Sequence, residues 1–217
     1  PSDACPVTRD EQQLSPDAIV QLAFSFWQSR TLLTAVELEL FSILSATGDK
    51  GLSSIAIADR LDLLYSATPF FLDTLVELMM LHRHNGQGTE APLYSNTDET
   101  NLFLDHAKKD TYVGGIMDMV SRRIYGFWAD LPQALLTGKA QNEIKHTGEN
   151  IFSELYKDNV RLEQFLEGMM GISAGNFRAF ASKFDFSKYQ THVDIGGATG
   201  QLSIFIAQEN PLMKSTS

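Results

Sequence analysis

The sequence predicts a mainly α chain: a winged-helix region, a helical linker, and then the first β–α unit of a Rossmann-like α/β domain. Three observations carry that expectation. Apolar residues recur at helical spacing through most of residues 16–180. A turn-rich stretch at 82–96, holding Asn85-Gly86, Gly88 and Pro92, interrupts them between two short extended candidates, 81–84 and 93–95. Near the end a β-prone run, Thr191-His192-Val193-Asp194-Ile195, meets a glycine-rich turn and a helix-like stretch at 201–208. The expected divisions are a polar lead-in at 1–15, the winged-helix domain at 16–108, a helical linker and pocket region at 109–188, and the start of the α/β domain at 189–217.

Each element has a local reason. Ser15-Pro16-Asp17 reads as a helix start: a capping hydroxyl, a proline in the first turn, and an acid near the positive end of the dipole. Ile19, Leu22, Ala23, Phe26 and Trp27 follow on one face. A second helix is expected over 31–44, with Leu32, Leu33, Val36, Leu40, Phe41 and Leu44 as its stripe and Gly48 and Gly51 beyond its end. Ser53 opens a short helix at 54–61, and Ser66-Ala67-Thr68-Pro69 opens another that runs to Leu81. Two helices joined by a short turn, behind a preceding helix, make a helix-turn-helix core, and the hairpin at 81–95 supplies the wing. The linker begins with one helix over 112–136, carrying Ile116, Met119, Val120, Ile124, Phe127, Trp128, Leu131 and Leu135. Gly138 and the polar run 139–148 form a loop, 149–156 a short helix, and 159–180 a longer one with Leu162, Phe165, Leu166, Met169, Ile172 and Phe177 on its apolar side.

Composition narrows the function classes. With 217 residues, 43% hydrophobic and 20% charged, the chain can bury one large core or two small ones. A net charge of −10 and no clustered Lys/Arg patch argue against nucleic acid as a partner. Cys5 is the only cysteine, which precludes an intrachain disulfide and suits a reducing cytoplasm. No apolar run approaches the ~20 residues that span a bilayer, and the N-terminal residues lack the order of a signal peptide. Neither a membrane partner nor a metal is expected: His82, His84, His106, His146 and His192 form no pair with metal-ligand spacing.

The chemistry rests on Val193-Asp194-Ile195-Gly196-Gly197-Ala198-Thr199-Gly200. Glycine lets the backbone turn sharply and approach a ligand closely, and the helix that follows directs unpaired N–H groups at it. The spacing is not G-x-G-x-x-G, so a dinucleotide is not implied. From these residues alone, a ligand-binding turn and a plain strand-to-helix turn both stay open. Phe165, Met169 and Ser173 stand at i, i+4 and i+8 and share a helix face, which is either a core stripe or the wall of a site. Met117, Phe127 and Trp128 are candidates to line an aromatic substrate cavity, with core packing as the alternative.

The 193–200 run resembles motif I of class I S-adenosylmethionine-dependent methyltransferases, whose common form is D-x-G-G-G-x-G; Ala198 stands where that family often has glycine. Its methyl group is expected at a helix-starting position. Upstream, "FWQSRTLLTAVELELF", "LDTLVELMML", "YSNTDETNLFL", "FWADLPQALLTG" and "NIFSELY" follow in an order similar to the small-molecule O-methyltransferases related to the acetylserotonin and caffeate enzymes. The resemblance implies a winged-helix dimerisation domain that forms a homodimer through its N-terminal helices, followed by a Rossmann-like methyltransferase domain. It implies S-adenosyl-L-methionine as cofactor and a small aromatic hydroxyl compound as substrate. It also implies that Tyr156 and Ser173 line the cofactor site, that Phe165 and Met169 lie beside it, and that Asp194, Gly196, Gly197, Ala198 and Gly200 form its turn. The ribose-binding acid and the general-base histidine of that family lie farther along than residue 217, so the chain is expected to stop after one β–α unit and no catalytic residue is assigned. The competing readings are a non-catalytic dimerisation module and a winged-helix DNA-binding regulator. The latter is disfavoured because its recognition helix, at 69–81, has Asp73 and Glu77 but no Lys or Arg.

Overall fold

The computed structural model describes residues 14–84, 91–148 and 150–217. Most of the expected lead-in (1–13, with Cys5), the turn at Asn85-Gly86 and Gly88, and Glu149 lie outside the described residues.

Helix α1 (Asp17–Glu37) is one rod of 21 residues, not the junction of two helices near residue 30. No glycine or proline stands between 17 and 37, so nothing forces a break there. The break comes at Glu39, whose φ of 54° is left-handed, and α2 (Leu40–Ser45) follows. Helix α3 (Ser54–Leu61) begins as expected, the Ala56 N–H donating to Ser53 Oγ at 3.2 Å. Helix α4 (Thr68–Glu77) stops short of the expected Leu81, because Met79 turns left-handed (φ 58°) and Leu81 enters a strand.

Among the described residues, β1 (Leu52–Ser53), β2 (Leu81–His84) and β3 (Leu93–Asn96) form an antiparallel sheet in the order β1-β3-β2. Leu81 pairs with Asn96 and His84 with Leu93, which is the expected hairpin; β1 was not expected. Gly51 leads into β1 with φ 64°, and a Cβ there would lie 2.5 Å from the Tyr94 carbonyl oxygen, so only glycine fits. Helix α5 (Asp98–Phe103) follows β3. Thr97 Oγ accepts from the Thr100 N–H at 3.2 Å, and Thr100 Oγ accepts from the Thr97 N–H at 3.0 Å. Leu40, Phe41, Leu44, Ile57, Leu72, Leu75, Leu81 and Tyr94 form the buried core of this half.

The expected helix at 112–136 is a run of helical pieces with changing pitch: α6 (Gly114–Met119), a π turn (Val120–Ile124), α7 (Tyr125–Phe127), a 3₁₀ turn (Trp128–Asp130) and α8 (Leu131–Thr137). Gly138, φ 65°, ends it. Helix α9 (Ile151–Leu155) is capped by Asn150 and α10 (Asn159–Lys183) by Asp158. The α6 and α10 backbones cross closely. A Cβ at Gly115 would lie 3.2 Å from the Glu167 carbonyl, and one at Gly171 would lie 3.0 Å from the Tyr112 oxygen.

The last segment corrects the expectation of a single β–α unit. Strand β4 (Thr191–Val193), α11 (Gln201–Glu209) and β5 (Lys214–Thr216) make a complete β–α–β unit, with β4 and β5 parallel and His192 opposite Ser215. The parallel pairing follows from the helical crossover, as it must for adjacent parallel strands. Ala181, Phe186 and Ile206 bury a small second core between α10, α11 and the 3₁₀ turn Phe186–Lys188. Among the described residues, no helix is long and apolar enough to cross a membrane, and no group of His, Cys, Asp or Glu is arranged to hold a metal.

Candidate functional site

The glycine-rich turn is fixed at both ends. The Asp194 N–H donates to the Thr216 oxygen at 2.8 Å, which ties the end of β4 to β5. Gly196 (φ 78°), Ala198 (φ 51°) and Gly200 (φ 71°) are all left-handed, so the chain reverses within a few residues. The Gly200 N–H closes the turn on the Gly197 oxygen at 2.8 Å. Gly197 lies against the Asp194 carboxylate: a Cβ at Gly197 would sit 2.6 Å from Asp194 Oδ2. Space beside Gly196 is open, with nothing within 4 Å of where a Cβ would be. Gly200 is the N-cap of α11, so the first N–H groups of that helix emerge at the turn without intrahelical partners. Ala198 is therefore not at a helix-starting position, as expected from the sequence, but inside the turn, where its backbone is strained. A cavity of about 460 Å³ lies between Thr199 and the α10 side chains Asn159, Leu162, Glu163, Leu166, Glu167 and Met170.

A second cavity, of about 440 Å³, opens between the α6–α8 run and α10. Met119, Ile124, Phe127, Trp128, Leu131 and Phe165 give it an apolar wall. Its polar lining includes Arg123, Gln141 and Glu143. Arg123 Nε donates to Glu143 Oε1 at 2.7 Å, Nη2 pairs with the same carboxylate oxygen, and the two side chains are only 13% and 12% exposed. Arg123 Nη1 and Gln141 Oε1 are buried and have no protein partner. Within the π turn, Ser121 donates to Glu37 Oε1 at 2.6 Å and accepts from Arg30, tying the segment to α1, while Arg123, two residues on and so on the other side of the helix, joins the cavity wall.

The structure brings only some of the candidate residues together. Asp194, Gly196, Gly197, Ala198 and Gly200 form one turn. Phe127, Trp128 and Phe165 line the apolar cavity, with the Phe165 ring edge-to-face against Phe152 at 6.3 Å. The cleft beside Thr199 is lined by Leu162, Leu166 and Met170 rather than by Phe165, Met169 and Ser173, which lie on the neighbouring stripe of α10. Tyr156, at the end of α9, is 68% exposed. Met117 packs against the N-terminal core instead of lining the cavity. Sequence reading passed over Arg123, Gln141 and Glu143. A signal existed for the first: Met119, Arg123 and Phe127 stand at i, i+4 and i+8, so a charge interrupts an apolar stripe.

Comparison with known proteins agrees with this architecture. An O-methyltransferase dimerisation domain matches residues 20–106, and an O-methyltransferase domain matches residues 128–217. The chain is 32% identical over 201 residues to the tetracenomycin polyketide synthesis 8-O-methyl transferase TcmO of Streptomyces glaucescens, covering 93% of this chain and 56% of that protein. It is 29% identical over 194 residues to the N,N-dimethyltransferase OxyT of Streptomyces rimosus, covering 89% of this chain and 54% of that one. Thus the chain spans about half the length of the curated relatives it matches. The crystal structure of human N-acetylserotonin methyltransferase in complex with SAM superimposes with a TM-score of 0.82 at 24% identity, covering 97% of this chain and 60% of that one.

Proposed function

The chain belongs to the S-adenosylmethionine-dependent O-methyltransferase family, and on that premise we propose that its 194–200 turn holds S-adenosyl-L-methionine while the cavity beside Trp128 receives a small aromatic hydroxyl substrate. The observation that carries the reading is the left-handed turn meeting the N-terminus of α11 beside the cleft at Thr199. These residues fit the cofactor's chemistry. Free N–H groups at the start of α11 suit a carboxylate. The Asp194 carboxylate suits an ammonium or a hydroxyl, and Leu162, Leu166 and Met170 offer an apolar wall to a purine. Tyr156, Phe165, Met169 and Ser173 join this set on the strength of the family resemblance. When bound, S-adenosylmethionine supplies an electrophilic methyl group on a sulfonium. The chain's own contribution is positioning: α10 carries side chains of both cavities, and Phe127, Trp128 and Phe165 offer aromatic surface to a flat ligand.

The N-terminal half is read as a winged-helix dimerisation domain at 16–108, joined by a helical linker at 109–188 to the methyltransferase segment at 189–217. A homodimer is supported by the uncovered apolar side chains at the start of α1: Ile19 is 74% exposed, Leu22 77% and Trp27 59%. The lone Cys5 supports a cytoplasmic location. Isothermal titration of this chain with S-adenosylmethionine tests the cofactor reading. Saturable heat that Asp194→Asn weakens is expected; no heat at millimolar ligand overturns it. Sedimentation over a range of concentrations tests the dimer, and a strict monomer overturns that part.

A further inference from the structure

On the reading of the Trp128 cavity as the acceptor site, we propose that residues 139–147 form a hinged strap along it, and that the Glu143–Arg123 pair is the latch that fixes this strap as a wall and so limits the size of the acceptor. Three observations carry it. First, the strap hangs between two hinges. Gly138, which ends α8, and Gly148 are both left-handed at φ 65°, and neither has anything within 4 Å of where a Cβ would be. Backbone can rotate at such positions without the resistance that a Cβ would impose. Second, the segment between the hinges is bonded to itself. The Lys145 N–H donates to the Asn142 oxygen at 2.9 Å, the Gly148 N–H to the Ile144 oxygen at 2.8 Å, and Gln141 Nε2 to the Lys139 oxygen at 3.1 Å. It can therefore swing as one piece and keep these bonds. Third, four consecutive strap residues, 140–143, line the cavity, so a displaced strap changes the size of that space. The remaining lining comes from α6 to α10, chiefly from helices, which leaves the strap as the wall that can yield.

Two ion pairs hold the strap to the helices. Lys145 Nζ lies 2.8 Å from Asp130 Oδ2, with side chains 36% and 48% exposed. Glu143 Oε1 accepts from Arg123 Nε at 2.7 Å and pairs with Nη2 in a setting largely closed to water. Water and salt weaken the exposed pair, whereas removing one partner of the shielded pair leaves a charge with neither solvent nor counterion. Glu143 is therefore the latch, and Lys145 adds little. The other side of the latch is fixed, because Arg123 belongs to the π turn whose Ser121 is bonded to Glu37 and Arg30 of α1. Breaking the pair thus releases the strap and leaves the helical wall in place. Glu143 acts here as a positioning residue: it limits the acceptor by holding 140–143, not by touching it.

Two readouts test the latch, and the first needs no ligand. In a Cys5→Ser background, nitroxides at His146→Cys on the strap and Ala179→Cys on α10, both exposed positions, report the strap's place by pulsed electron resonance on chains diluted with unlabelled protein. The parent should give one narrow distance. Glu143→Gln, which keeps the side-chain volume and removes the charge, should spread it; the charge-swapped Arg123→Glu/Glu143→Arg should restore it, and Lys145→Ala should leave it unchanged. The second readout is acceptor size. The chain has two tryptophans, so a Trp27→Phe background leaves Trp128, in the cavity wall, to report by its quenching the binding of 2-naphthol and 1-pyrenol, hydroxyarenes of two and four fused rings. Glu143→Gln should raise the affinity for 1-pyrenol relative to 2-naphthol by about tenfold, the lower end of what an apolar wall discriminates by size. A purely structural loss would lower the melting temperature and leave that ratio alone. An unspread distance in Glu143→Gln, or an unchanged affinity ratio, overturns the latch and leaves the cavity assignment intact. Should Glu143→Gln fail to fold, the labelled parent decides: saturating 1-pyrenol must displace the strap, and an unmoved distance overturns the proposal. No quenching of Trp128 by either hydroxyarene overturns the cavity assignment, and the size limit with it.

Discussion

Helix α10 carries two glycines one turn apart that should respond oppositely to the same substitution. At Gly171 a Cβ would lie 3.0 Å from the Tyr112 carbonyl oxygen and 3.3 Å from Val113 Cα, both backbone atoms that cannot swing aside. At Gly175 nothing lies within 4 Å. Alanine gains roughly 1 kcal/mol of helix propensity over glycine at either site. At Gly175 that gain stands alone, and Gly175→Ala should be more stable than the parent by about that amount. At Gly171 the backbone at Tyr112 and Val113, just ahead of α6, must move by some tenths of an ångström, and overpacking of this kind costs about 1–3 kcal/mol. The difference between the two variants isolates the crossing, because propensity cancels. Urea unfolding followed by circular dichroism reads it: with a slope of about 2 kcal/mol/M, the midpoints should be roughly 0.5–1.5 M apart. Superimposable unfolding curves for the two variants would refute the close crossing.

Three further outcomes follow from individual groups. Burial pushes the Asp105 carboxyl up, but the Ser45 hydroxyl at 2.6 Å, the Ala107 N–H at 3.0 Å and the Lys108 ammonium outweigh it and hold it below the usual carboxylate range. The stabilisation is then complete above the unfolded value of about 4 and is lost as pH falls through the depressed one; Asp105→Asn should flatten the acid limb of a thermal-midpoint profile, and an unchanged limb would contradict this. Burial and then the hydrogen bond to Asp73 push Tyr94 up to about 12, and burial and then the charges of Asp118, Glu39 and Glu167 push Tyr112 to about 12. Stability held by these neutral phenols is full below about pH 10 and is lost as pH rises towards 12. Ultraviolet titration should show at least two of the six tyrosines ionising late, against a single transition near 10 if both phenols are free. Ala198 holds a φ of 51°, so Ala198→Gly should stay within about 1 kcal/mol of the parent while Ala198→Val loses about 1–2 kcal/mol; equal melting temperatures for the alanine and valine forms would mean that the turn is not left-handed.

How much of this was legible in the sequence depended on whether the determinant was local. The α3 start could be read because Ser53 caps it within three residues, and the 196–200 turn because glycine is the residue that left-handed backbone selects. Helix α5 was legible in the same way but was not read: Thr97-Asp98-Glu99-Thr100 carries its own cap and two first-turn acids. Strand β5 offered no such signal. Lys214, Ser215 and Thr216 show no alternation, and what makes them a strand is pairing with β4 across an intervening helix. The π turn at Val120–Ile124 was hidden too, because its residues are ordinary helix formers and carry no local mark of the wider pitch. The break after α1 was misplaced because apolar spacing continues through it; Glu39 carries no sequence mark of its left-handed φ.

The two cavities are linked by α10 in a way that bears on the proposed chemistry. Phe165 lines the apolar cavity and Leu166, the next residue, lines the cleft beside the glycine turn. Consecutive residues on a helix diverge by about 100°, so one turn of α10 supplies adjoining walls to both spaces. Direct methyl transfer needs acceptor and sulfonium within contact distance, and an error of about 1 Å can cost about 10²-fold in rate. The placement of this helix therefore sets the spacing on which the proposed reaction would depend. That placement is fixed by close backbone contact at Gly115 and Gly171, where no flexible side chain can absorb a displacement. A scaffold that holds α10 by packed backbone positions both spaces with one rigid part, whereas bulkier residues at the crossing would shift both walls together. Glycines that contribute nothing chemically to either cavity thus govern the geometry of both.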